Sequence, residues 1–147
     1  MDTQTHCEHC GANMKAYWQP LTGGLVSCLV KAIKYVHTNK KNEFHLSKHL
    51  DLSKNQYNNF QKLRFHALVA KVDDKPGYWL ITKRGGQFLR GEIAVPKKVE
   101  TFRNEVIDHS TDQVHINDLK HKIPSFDSEF AYEYQMPIGP QIQLTLN

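Results

Sequence analysis

The chain has 147 residues, 39% hydrophobic and 23% charged, with a formal net charge of +4. That length and balance suit one folded domain with appended structure and exclude a wholly disordered or fibrous chain. No run approaches the roughly 20 apolar residues of a membrane span, so no membrane association is expected.

The charge is uneven. Residues 1–98 carry a net +9 and residues 99–147 a net −5. A basic block of that size suits a polyanionic partner.

The opening "MDTQTHCEHCGANMK" has no apolar core behind a basic segment, so a secretory leader is not expected. Three cysteines, an odd number, argue against a disulfide framework and for a reducing, cytoplasmic setting. Residues 1–19 read as a CxxC head. Cys7 and Cys10 have the spacing at which two thiolates share one tetrahedral zinc, and Gly11 behind them helps the backbone turn around a metal. Further ligands would come from among His6, His9, Cys28, His37, His45 and His49. The alternatives are free thiols and a redox pair, but a redox CxxC follows a strand and opens a helix, which this one does not. Cys28 reads as a buried core cysteine.

Apolar residues at Leu25, Leu29, Ala32, Ile33 and Val36 keep helical spacing, which predicts a helix over about 21–38, closed by the polar "NKKN". A short extended entry at Phe44–Leu46 and a short helix through about Leu50, capped by Ser47, come next. His45 and His49 flank that cap and need not share a face. A second helix opens at the cap Ser53 and runs to about His66, with Tyr57, Phe60, Leu63 and Ala67 as its buried stripe. Lys54, Asn55, Asn58, Asn59 and Lys62 fall on the other side.

"ALVAKVDDKPGYWLITKRGGQFLRG" reads as two strands around a DDKPG turn, then a short helix ending in glycine. Pro96 marks a boundary, beyond which "KVETFRNEVID" and "DQVHINDL" show β alternation with a turn near 103–105. From His121 onward only scattered aromatics and prolines appear. The expected division is thus a CxxC head over 1–19, a central domain over 20–95 and an acidic, β-rich extension over 96–147. His109, His115 and His121 have no nucleophile beside them, and no phosphate-binding loop, HExxH or nucleophile elbow occurs, so an enzyme is not expected.

The order helix, short strand, helix, turn, helix, hairpin, with "LSKHLDLSKNQYNNFQKLRFHALVAK" and then "GYWLITKRGGQFL", resembles the winged helix-turn-helix superfamily over about residues 25–92. Leu63, Ala67, Leu68 and Val69 stand where the recognition helix of that superfamily ends. Ile81, Thr82 and Gly85 stand where its wing closes, and Ala67 replaces the usual glycine. The whole chain also resembles small bacterial and phage proteins in which a CxxCG head precedes a winged helix.

The resemblance implies an α+β fold and a DNA-binding role, as a transcriptional regulator and homodimer. The helix over about 53–66 would enter the major groove. Asn55, Asn58 and Asn59 have the amides that pair with adenine, and Lys54 and Lys62 suit guanine or phosphate. Lys71 and Lys75 on the wing over about 69–82, with Lys83 and Arg84 after it, would hold the backbone. The alternative is a protein-interaction module of a mobile element that binds and inhibits a host protein, with the helix face merely solvated. The acidic extension and the wing would then carry the contact; in the DNA-binding reading the extension would instead lie across the basic face of its own domain and weaken that binding.

Overall fold

A computed structural model describes residues 15–123. The chain is α+β. Strand β1 (Tyr17–Pro20) leads into helix α1 (Gly23–Asn39), strand β2 (Glu43–His45), and helices α2 (Leu46–His49) and α3 (Lys54–Asn59). A 3₁₀ helix (Phe60–His66) continues α3, and strands β3 (Val69–Lys71) and β4 (Tyr78–Ile81) follow with helix α4 (Lys83–Leu89). Strands β5 (Val95–Pro96), β6 (Lys98–Phe102), β7 (Glu105–His109) and β8 (Gln113–Val114) come next, then helix α5 (Ile116–Leu119) and a 3₁₀ turn (Lys120–Lys122).

Helix α1 starts where the Thr22 hydroxyl accepts the Leu25 N–H at 3.2 Å. It stops where Lys40 turns left-handed and the Lys40 and Lys41 N–H groups fold back onto the carbonyls of His37 and Val36. Between them Leu25, Val26, Leu29, Ala32, Ile33 and Val36 form a stripe with almost no exposed surface. This stripe is the axis of the core.

Strands β2, β4 and β3 form one antiparallel sheet in the order β2-β4-β3, with Phe44 opposite Trp79 and Val69 opposite Ile81. Those four side chains point inward and are buried. Phe60 reaches this layer from the helical side, edge-on to Phe44 at 5.8 Å and to Trp79 at 5.4 Å.

The expected single helix over 53–66 is in fact two. After Asn59 the chain tightens to 3₁₀, where residues three apart eclipse. Phe60, Leu63 and His66 stand at that spacing, and all three are buried. Ala67 ends the turn in the left-handed region, at φ 60°. Tyr57 is also not in the buried stripe: it is 48% exposed. The helix turns Gln56 inward instead, because its Oε1 accepts both the Ser53 N–H at 3.0 Å and the Lys31 ammonium of α1 at 2.9 Å. Ser47 does not cap α2. The His45 ring does, its Nδ1 accepting the Lys48 N–H at 3.1 Å.

A second antiparallel sheet has the order β1-β6-β7, and the short pair β5 and β8 is a third ladder. The β6–β7 turn passes through Arg103 and Asn104, both at positive φ, as a two-residue hairpin turn requires. The expected strand over "DQVHINDL" is only β8, after which the chain becomes α5. The expected boundaries at residues 19 and 95 each fall inside a strand, β1 and β5 respectively. Val95, Val114, Ile116, Leu119 and Ile123 pack into the same apolar cluster as α1. None of the described helices is long and apolar enough to cross a membrane.

Candidate nucleic-acid interface

Helix α3 is short and owes its start to a reciprocal cap. The Ser53 hydroxyl accepts the Gln56 N–H at 3.2 Å while the Gln56 amide accepts the Ser53 N–H. None of its six residues is buried, so the whole helix is held by its cap and by its tie to α1 rather than by an apolar face of its own.

The five helix residues expected to form one face divide into two. Asn55, Asn59 and Lys62 line a groove of about 320 Å³ whose opposite wall is Gln19, Thr22 and Leu25. Within it the Asn59 amide donates to the Asn55 carbonyl at 2.8 Å, so one of Asn59's two polar ends is directed at its own helix. Asn58 instead lines a groove of about 290 Å³ on the side of the β3–β4 hairpin, together with Tyr57, Gln61, Lys71 and Trp79. Lys54, at the first turn, is exposed. Tyr57 and Gln61 are members of this hairpin-side surface that sequence spacing did not single out. No local signal singles them out: the pair Ser53 and Gln56 fixes where the helix starts, and the tie of Gln56 to Lys31 of α1 sets which side faces the core.

The expected backbone-holding cations are unequal. Lys71 is exposed and lies over the Trp79 ring at 5.6 Å. Lys83 is exposed at the start of α4. Lys75 is engaged: its ammonium lies 2.6 Å from the Glu43 carboxylate and 4.9 Å from the centre of the Tyr78 ring. The hydrogen bond to Glu43 and its charge raise the Lys75 pKa. Arg84 turns inward, its Nε donating to the His66 carbonyl at 3.3 Å, and burial lowers its pKa.

The β3–β4 hairpin sits against the His45 ring at the start of α2 because Gly77 has no side chain. Its φ is +82°, and a Cβ there would come within 2.5 Å of the His45 ring. His45 and His49, which the sequence did not require to share a face, are neighbours: the His49 Nδ1 accepts the His45 N–H at 2.8 Å, and the ring centres are 6.3 Å apart. The His45 pKa is lowered by desolvation first and by Lys48 and His49 next.

Cys7 and Cys10 lie outside the described residues. Cys28 is buried, its thiol directed at the Gly24 carbonyl, and burial raises its pKa to about 11. Among the described residues no group of three or more His, Cys, Asp or Glu side chains could hold a metal. His115 is committed to structure: its Nδ1 accepts the Asn117 N–H, which leaves Nε2–H to donate to the Gly91 carbonyl at 2.9 Å.

No protein-family model matches this chain, nor does any curated protein or solved structure.

Proposed function

We propose that the chain is a winged-helix protein that binds DNA and regulates transcription, as a cytoplasmic homodimer. The observation that carries this reading is the wing-side groove, where Asn58 and Gln61 of the helical segment and Lys71 of the hairpin share one exposed surface. Two amides suited to base edges thus stand beside a cation suited to phosphate. The order of helices and the sheet order β2-β4-β3 support that reading. Lys54 at the exposed start of α3 and Lys83 beyond the wing supply further phosphate contacts. Asn55, Asn59 and Lys62 take a flanking role on the other groove. The proposal includes zinc held by Cys7 and Cys10 in the head, which metal analysis of the purified protein tests directly.

The test is selection from pooled genomic DNA at two salt concentrations, with an Asn58→Ala/Lys71→Ala variant alongside. Enrichment of particular fragments, lost in the variant, is the expected result. Failure of the wild-type protein to bind DNA at low salt sinks the proposal.

A second reading has its own observation. Trp18, 42% exposed, and Ile107, 45% exposed, both belong to the β1-β6-β7 sheet. Large exposed apolar side chains on one sheet suit a protein contact, as an inhibitor of a host protein would need. Co-purification of one stoichiometric partner, lost in a Trp18→Ala variant, supports that reading over the first.

A further inference from the structure

Away from the asparagine helix, the end of α1 and the back of the wing enclose a concavity of about 560 Å³. Lys40, Lys41 and Lys75 supply three ammonium groups there, against the single carboxylate of Glu43. Its aromatic wall is Tyr35, His49 and Tyr78, with the His49 ring stacked on Tyr35 at 4.6 Å and 11°. Because the His49 Nδ1 accepts the His45 N–H, its proton sits on Nε2, a further donor. The volume lies within the range of small-ligand sites.

Lys40 adds a second observation. It occupies the left-handed position that ends α1, at φ 52°. Glycine takes that conformation without steric cost, and a lysine does not. A cation near a helix C-terminus gains something from the dipole, but Lys41, one residue on, already provides that charge. The same turn sets Lys40 and Lys41 side by side on the wall of the concavity.

We propose that this concavity binds a nucleotide through its phosphates, with Lys40, Lys41 and Lys75 as the anion contacts and the Tyr35–His49 wall beside the base. Ammonium groups hold phosphate oxygens by charge-assisted hydrogen bonds, and the stacked rings offer a flat apolar surface to a base. Glu43 competes with the phosphate for Lys75. The site is separate from the DNA-reading surface proposed above except for Lys75, and it stands or falls independently of that reading.

The test is calorimetric titration of the full chain at low salt with metal-free ATP, pyrophosphate, adenosine and a short single-stranded oligonucleotide. ATP should saturate one site, pyrophosphate should compete, and adenosine should bind far more weakly. A Lys40→Gly/Lys41→Ala variant should weaken ATP by about tenfold or more while its melting temperature holds or rises. Glu43→Gln should tighten ATP by about two- to fivefold. Lys75→Met serves as the second variant should the first fold poorly, with the same loss expected. An oligonucleotide that outcompetes ATP assigns the site to a nucleotide within a strand, and the reverse order assigns it to a free nucleotide. An Asn55→Ala/Asn58→Ala variant should bind ATP like wild type, so a failure to read DNA leaves this site standing. No saturable binding, equal affinity for adenosine and ATP, or wild-type affinity in both lysine variants overturns the proposal.

Discussion

The Thr82 hydroxyl donates to the Ala67 carbonyl at 2.7 Å, across the base of the β3–β4 hairpin. The same oxygen accepts the Gly85 N–H at 3.0 Å, and the Thr82 N–H donates to the Leu68 carbonyl at 3.1 Å. One buried threonine therefore ties the end of the 3₁₀ segment, the close of strand β4 and the start of α4 together. This explains the spacing of Ile81, Thr82 and Gly85 physically. Gly85 has to be glycine because a Cβ would stand 2.2 Å from the Leu68 carbonyl oxygen, a backbone atom that cannot swing away.

Gly85→Ala should therefore destabilise the fold by about 3 kcal/mol, as overpacking against a fixed wall does. Thr82→Val keeps the shape and removes the hydroxyl, leaving the Ala67 carbonyl without that donor, at about 1–3 kcal/mol. Urea unfolding measures both. A neutral Gly85→Ala would show that α4 does not pack this closely.

His66 should make stability depend on pH. Burial first, and the Arg84 charge second, lower its pKa to about 4 from an ordinary 6.5, and its Nε2 has no hydrogen-bond partner. The folded state thus binds the proton less readily than the unfolded chain. The stabilising effect is whole above pH 6.5 and is lost as pH falls towards 4. The full swing is roughly 3 kcal/mol. Unfolding midpoints across that window should fall with pH in the wild type and flatten in His66→Phe; parallel slopes would count against it.

The cap on α3 should behave as one unit. Ser53→Ala should cost about 1 kcal/mol, and Gln56→Ala a similar amount because it also releases Lys31. The double variant should lose less than the sum, since each single change already breaks the reciprocal pair. Strict additivity in a double-mutant cycle would mean the two bonds are independent.

The salt dependence of DNA binding should rank the cations. Lys71→Ala should lower the slope of log K against log salt by about 0.9 if it neutralises one phosphate. Lys75→Ala should change it less, because Lys75 must first leave Glu43. Arg84→Ala should act mainly on stability through the lost bond to the His66 carbonyl. Equal slopes for Lys71 and Lys75 would show that the Glu43 pair does not restrain Lys75 in solution.

Much of the local structure was written in the sequence. The apolar spacing from Leu25 to Val36 requires a helix with one buried face, because 3.6 residues per turn brings those positions into line. Ser53 three residues before Gln56 marks a helix start through its own side-chain chemistry. The DDKPG loop and the run from Ile81 to Gly85 carry turn and packing signals that act within a few residues. Such features are determined by neighbours along the chain, so the sequence alone decides them.

What only the tertiary structure decided lies wherever a distant partner sets the outcome. Lys31 of α1 draws Gln56 inward and so turns Tyr57 outward, which parts Asn58 from Asn55 and Asn59 and makes two grooves of one expected face. Burial of Phe60, Leu63 and His66 together tightens the helix to 3₁₀, though no glycine or proline marks the change. Strand β1 pairs with β6, joining Tyr17 to Thr101 across most of the chain. Residues 40 and 75 meet in one concavity only because the β3–β4 hairpin folds back beside the end of α1. Periodicity reports which residues seek burial, but not against what, and it is the identity of that partner that fixes the faces left to solvent.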